Sequence, residues 1–130
     1  MNHACCPPLY MKISRADDRW RLLGFETVVH ECLERLAFQQ GYRVGGVCEE
    51  LGISEAHLRV LFLRDVGLSP KDWMRWERMV VARRMLLWGA DVMVVAEKLG
   101  FSHANSFRRE FREVHGVPPH YFLESRIPEF

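Results

Sequence analysis

The feature that most narrows the folds open to this chain is an internal repeat. Val47-Cys48-Glu49-Glu50-Leu51-Gly52-Ile53-Ser54 recurs as Val95-Ala96-Glu97-Lys98-Leu99-Gly100-Phe101-Ser102, displaced throughout by 48 positions. Beyond that point the displacement is 49, so that Leu58 matches Phe107, Phe62 matches Phe111, Gly67 matches Gly116, Pro70 matches Pro119 and Trp73 matches Phe122. The second copy therefore carries one inserted residue just after its turn. Each copy reads as a short apolar helix closing at Leu-Gly, one apolar residue, and a serine opening a second helix. Gly52 and Gly100 suit the left-handed position that ends a helix. Ser54 and Ser102 suit the N-cap of the next, where a hydroxyl accepts from an unpaired backbone N–H. Two helices joined by so few residues make a helix-turn-helix with the glycine in the turn. An unrelated helical bundle would leave all the matched positions to coincidence.

The rest of the chain also reads as helix. Thr27 to Gln39 places Val28, Val29, Cys32, Leu33, Leu36 and Ala37 on one helical stripe that stops before Gly41. Ser69-Pro70 opens a long helix with proline at its first position, and the pattern runs through Trp73, Trp76, Val80, Val81, Met85 and Leu86 to Gly89. Gly116-Val117-Pro118-Pro119 opens a short last helix, and Pro128 ends the pattern. No segment reads as a strand, so the expected fold class is all-α.

Length and composition remove several functions. With 130 residues, 48% of them hydrophobic and 27% charged, the chain has room for one folded domain and a modest core. No stretch approaches the ~20 apolar residues that cross a bilayer, and Met1 to Met11 lack the basic-then-apolar order of a signal peptide, so a cytoplasmic protein without membrane contact is expected. Cys5, Cys6, Cys32 and Cys48 include no Cys-x-x-Cys pair, and the six histidines lack zinc-site spacing. Reduced thiols, no metal and no cofactor follow as expectations. Nothing combines a nucleophile, a base and an orienting group, so no catalytic residue is assigned and an enzyme is not expected. Trp20, Phe25 and Trp88 read as packing residues.

In a helix-turn-helix the second helix buries one stripe and offers the other to the DNA major groove. Stepping about 100° per residue from Leu58 buries Leu58, Leu61, Phe62 and Val66 and turns Ala56, Arg59, Val60, Leu63 and Arg64 outward. The second copy buries Phe107, Phe111 and Val114 and turns Asn105, Arg108, Arg109, Arg112 and Glu113 outward, with Glu110 pointing away from that face. Arginine pairs bidentately with guanine and asparagine with adenine, so Asn105 and Arg109, one turn apart, form a base-reading pair. Arg59 is the one cation at the centre of the first face, where Ala56 and Val60 can touch thymine methyl groups. Ser54, Arg64, Ser102, Arg108 and Arg112 are the candidate phosphate contacts.

These residues resemble the DNA-binding domain of the AraC/XylS family of bacterial transcription regulators. The likeness covers about Thr27 to Leu123. It is carried by Gly100-Phe101-Ser102, Asn105, Phe107, Arg109, Phe111, Gly116-Val117, Pro119 and Phe122, and by Ser69-Pro70, Trp73, Arg78, Ala82, Arg83 and Leu86. The resemblance implies a seven-helix arrangement of two helix-turn-helix subdomains joined by a long linking helix. Residues 1–25 form an N-terminal extension, expected to be partly disordered, 26–123 the domain, and 124–130 a tail. Within the domain the motifs fall at about 44–66 and 91–115, with the linking helix at about 69–88. Both recognition helices would enter successive major-groove segments ~34 Å apart, so a monomer would suffice on double-stranded DNA. The family often has a basic residue at the place of Val60, a polar one at Leu63 and an arginine at Leu123. Members usually carry a separate effector domain, so this chain is expected to be either a stand-alone regulator like the small stress-response members, which Met1 and the short segment after it favour, or a piece cut from a longer one.

The rival reading is a protein-interaction module. There Ala56, Val60 and Leu63 bind a partner such as RNA polymerase, and DNA binding is weak or absent. The formal charge of +1 bears on both readings. The basic excess lies in residues 71–90, from Lys71, Arg75, Arg78, Arg83 and Arg84 against Asp72 and Glu77. A DNA-binding chain so nearly neutral should grip non-specific DNA weakly, show a shallow salt dependence and rely on a few arginines.

Overall fold

The computed structural model describes residues 11–24 and 27–124; Cys5, Cys6, Phe25, Pro128 and the rest of residues 125–130 lie outside them. The chain divides into two compact units, Met1–Met74 and Arg75–Phe130.

The first unit opens with a three-stranded antiparallel sheet of β1 (Lys12–Ala16), β2 (Arg19–Gly24) and β3 (Thr27–His30), in that order. The all-α expectation is corrected here. Asp17 and Asp18 form a two-residue hairpin loop, with Ala16 paired to Arg19. Both have positive φ, 55° and 62°, as the mirror-image turn favoured in hairpins requires. Aspartate is among the few residues that tolerate this region. Met11, Ile13 and Leu22 are buried while Lys12 and Arg19, of the opposite parity, are exposed, the period-two pattern of a half-buried sheet. Asp-Asp in place of Asn-Gly or Asp-Gly hides the hairpin in the sequence.

The helix expected over Thr27–Gln39 divides in two. Val28 pairs with Leu23 and Thr27 with Gly24, with a bulge between Leu22 and Leu23, and α1 spans only Leu33–Gln39. The β-branched Thr27, Val28 and Val29 are stiff at χ1 and suit extended chain better than a helix. Cys32 then caps α1, its Sγ accepting from the Arg35 N–H at 3.4 Å. The unit is completed by α2 (Val44–Leu51), α3 (Glu55–Asp65) and the first turn of α4 (Pro70–Leu87). Its core joins Ile13 and Leu22 of the sheet to Leu36, Leu58, Leu61, Phe62 and Trp73, with the Phe62 and Trp73 rings 5.2 Å apart.

Polar bonds seal the β1 edge against α3. The Ile13 N–H donates to the Asp65 carboxylate at 2.8 Å, Arg64 donates to the Met11 carbonyl at 2.6 Å, and Arg64 and Asp65 pair at 2.8 Å. Edge groups so occupied cannot template pairing with another strand.

The second unit holds the later turns of α4 with α5 (Val92–Lys98), α6 (Ala104–His115) and α7 (His120–Glu124). Its core is Met79, Ala82, Leu86, Val92, Val95, Ala96, Leu99, Phe107 and Phe111. The buried stripe of α4 thus runs through Met79 and Ala82, whereas Trp76 is exposed and Val80, Val81 and Met85 are half-buried. Trp88, expected to pack, is 80% exposed. It lies past the last residue of α4, before Gly89 turns the chain at φ 99°, and so leaves the buried stripe. His115 closes α6 against this core, its ring 4.4 Å from Phe111 and its Nε2–H donating to the Met79 carbonyl at 2.9 Å. No helix among the described residues is long and apolar enough to cross a membrane.

The sheet shares its core with the helices, so Leu22→Ala should destabilise the first unit by ~2–5 kcal/mol, as Leu58→Ala should. Denaturant melts followed by helix content test this; a loss below ~0.5 kcal/mol for Leu22→Ala would show the sheet to be a dispensable appendage.

Candidate nucleic-acid interface

The first motif is α2, a turn and α3. Gly52 ends α2 at φ 74°, and its N–H bonds the Cys48 carbonyl at 2.8 Å. Ser54 caps α3, its Oγ accepting from the His57 N–H at 3.0 Å. Helix α3 buries His57, Leu58, Leu61 and Phe62, leaves Val66 half-buried, and exposes Ala56, Arg59, Val60, Leu63 and Arg64. The expected outward face is therefore at the surface, with Val60 and Leu63 46% and 48% exposed. Arg64 differs from its neighbours, because its guanidinium is bonded to Met11 and Asp65.

Sequence reading missed one feature of this unit. The first residues of α2, α3 and α4 line one open cleft of about 280 Å³, formed by Val44, Glu55, Ala56, Arg59, Ser69, Pro70 and Lys71. Helix N-termini carry unpaired N–H groups and the positive end of the helix dipole, and Arg59 and Lys71 add two cations against one carboxylate. Periodicity shows which face a residue occupies. It does not show that three helix starts meet.

Burial governs two of the titrating groups here. It pushes the Cys48 thiol, with help from the charge of Glu55, up to about 11, so the thiol stays protonated. It also lowers the pKa of His57, whose Nε2 has no hydrogen-bond partner among the described residues. The Arg64 hydrogen bond holds the Asp65 carboxyl below its ordinary value.

The second motif is α5, a turn and α6. Gly100 has φ 86°, and the N-cap of α6 is His103, extended at φ −136° and ψ 137° and making no side-chain cap bond. Ser102 therefore does not cap, contrary to expectation; the one-residue insertion in this copy moves the helix start past it. Helix α6 buries Phe107 and Phe111 and exposes Asn105, Arg108, Arg109, Arg112 and Glu113 together. Arg108 donates to the Asn105 Oδ1 at 3.1 Å. Cations of α4 occupy both acids of α6, Arg78 pairing with Glu110 at 3.1 Å and Arg75 with Glu113. Among the described residues Arg109 and Arg112 make no ion pair. Those residues also contain no cluster of three metal-ligating side chains.

A family model described as "Helix-turn-helix domain" matches residues 47–125, more than half of the chain and both motifs. The chain belongs to the AraC/XylS family. Among curated members, RipA of Corynebacterium glutamicum is 33% identical over 76 residues, 58% of this chain and 23% of RipA. The multiple antibiotic resistance protein MarA of Escherichia coli is 29% identical over 77 residues, 58% of this chain and 61% of MarA. The match thus spans less than two thirds of either relative. Among solved structures, the C-terminal domain of the response regulator AraT from Geobacillus stearothermophilus shares the fold. Its TM-score is 0.65 at 23% identity, over 75% of this chain and 82% of that one. A probable AraC family transcriptional regulator from Rhodopseudomonas palustris has a TM-score of 0.57 at 26% identity, over 74% and 94% of the two chains. In this AraC/XylS member the family's helix-turn-helix pair is preceded by the β1–β3 sheet, which packs on the first motif.

Two outcomes are expected. Ser54→Ala should cost about 1 kcal/mol of stability and Ser102→Ala less than about 0.5, since only the first hydroxyl caps a helix; equal losses in urea melts would contradict the shifted N-cap. Burial lowers the His57 pKa in the folded chain, so the unfolded chain binds its proton first, and stability falls as pH drops below the ordinary value of 6.5. The contribution of Asp65 persists until pH falls below its own ordinary value of 3.8, which separates the two windows. The thermal midpoint should therefore fall between about pH 7.5 and pH 5.5 in the native chain and fall less in His57→Gln. Parallel pH profiles for the two proteins would refute this.

Proposed function

We propose that this chain is a sequence-specific, DNA-binding transcriptional regulator in which α6 makes most of the hydrogen-bonded base contacts. The supporting observation is the exposed face of α6. Asn105, Arg108, Arg109 and Arg112 stand together on it while the acids that would repel phosphate are occupied by α4. Arg109 suits guanine O6 and N7, and Asn105, one turn away, suits adenine N6 and N7. Arg108, Arg112 and the hydroxyl of Ser102, which does not cap α6, serve the phosphates.

On the first motif Arg59 reads a base, Ala56 and Val60 touch thymine methyl groups, and phosphate sits at the cleft beside Ser54 and Lys71. Arg64 would reach phosphate only by giving up its bonds to Met11 and Asp65. The two recognition helices take successive major-groove segments about 34 Å apart, so one chain occupies an asymmetric site. Any mismatch between the spacing of the helices and that of the groove would bend the DNA, at ~1–6 kcal/mol. The exposure of Val60 and Leu63 favours a second reading, in which the first motif docks on a protein such as RNA polymerase.

Selection from random duplexes at fixed salt should enrich one site covering both half-sites, and failure to enrich any sequence would sink the proposal. On the selected site Arg109→Ala should cost ~1–3 kcal/mol and relax the preference at one base pair. A loss equal on every sequence would reassign Arg109 to phosphate. Val60→Asp with Leu63→Asp should weaken DNA binding; unchanged DNA affinity with loss of polymerase binding would favour the second reading.

A further inference from the structure

Arg78 sits midway along α4, and its guanidinium engages three successive parts of the second motif. One Nη donates to the carbonyl of Leu99, the C-cap of α5, at 3.4 Å. The other donates to both carboxylate oxygens of Glu110 on α6, at 3.1 and 3.3 Å. The group also lies 4.0 Å from the centre of the Phe101 ring in the turn. The side chains of Arg78 and Glu110 are each only 19% exposed, so their pair is partly removed from water and screened less than a surface ion pair.

The repeat supplies an internal comparison. By the displacement between the copies, Glu110 corresponds to Leu61 and Phe101 to Ile53. Leu61 is fully buried, so α3 is seated at this point by apolar packing. Apolar contact is non-directional and tolerates a small rotation of the helix. A planar fork bonded to a carboxylate and stacked on a ring resists that rotation. Glu110 is also the immediate neighbour of Arg109, so a rotation that moves one moves the other.

We propose that the Arg78–Glu110 pair is the specificity-determining positioning element of the second motif, fixing the rotation of α6 about its axis so that Asn105 and Arg109 meet base edges squarely. Neither residue touches DNA in this scheme. The inference rests on the reading of α6 as the base-reading helix.

Glu110→Gln separates positioning from charge, because the two predict opposite results. Removing a carboxylate beside a phosphate-binding face should tighten binding to every duplex by electrostatics alone. Loss of positioning should lower the preference for the selected site over a scrambled one, while affinity for the scrambled duplex holds or rises. Both affinities are measured by titration at one salt concentration, with helix content and melting recorded for each variant. The preference ratio is expected to fall about fivefold or more, a loss of the size that one misaligned bidentate contact produces. Arg78→Lys keeps the charge but loses the fork and the ring stack, and should lower the ratio too; Glu110→Asp should fall between Glu110→Gln and the native chain. Should Glu110→Gln melt early, Arg78→Lys and Glu110→Asp decide the matter by the same ratio. Equal tightening on both duplexes with the ratio unchanged would overturn the proposal. Arg109→Ala serves as the control. If it lowers the ratio and the Arg78 and Glu110 variants do not, positioning fails and the base-reading role stands; if it leaves the ratio unchanged, the reading of α6 fails and this inference falls with it.

Discussion

Burial of one stripe of the second helix in each motif is the constraint on which the rest of the structure depends. Leu58, Leu61 and Phe62 in α3, and Phe107 and Phe111 in α6, are all removed from water. Each large side chain so buried contributes ~1.5–3 kcal/mol. Once those positions are inside, helical geometry forces Arg59 and Val60, and Asn105 and Arg109, outward. The chemistry of the outward face then follows from the residues between the apolar ones.

The two copies treat that common constraint differently. Helix α6 carries two acids among three arginines, and α4 supplies Arg75 and Arg78 to occupy them. Part of the basic excess of residues 71–90 therefore acts inside the second unit. This bears on the formal charge of +1, since pairing some acids with α4 leaves Arg109 and Arg112 without an ion pair among the described residues while the total stays near zero. Helix α3 carries fewer charges, and its C-terminal Arg64 and Asp65 turn instead to the edge of the sheet.

Much of this was legible in the sequence because it is local. The glycines that end helices, the Ser54 cap, Pro70 at a helix start and the exposed faces of α3 and α6 depend on residues three or four apart. The sheet was harder. Its hairpin turn uses Asp17-Asp18, a pair without the glycine that marks such turns, and Val28 and Val29 fit a helical stripe as well as a strand. Only pairing with β2 decides between them, and that pairing is not a local property. Ser102 was misplaced for a related reason: the repeat reveals an inserted residue, but the position of the first helical turn is settled by how α6 seats its phenylalanines.

The sequence by itself determined the paired helix-turn-helix, its turns, and the residues each second helix can present, because a periodic pattern of apolar side chains and a few residues with special backbone preferences suffice for these. Tertiary structure alone decided that the N-terminal segment closes the first core as a sheet, that Arg64 reaches the Met11 carbonyl, and that Arg78 holds Glu110. Each of these joins or parts groups distant along the chain. Whether a given arginine meets a carboxylate, a carbonyl or water is set by which surfaces the packing of the core brings within about 3 Å.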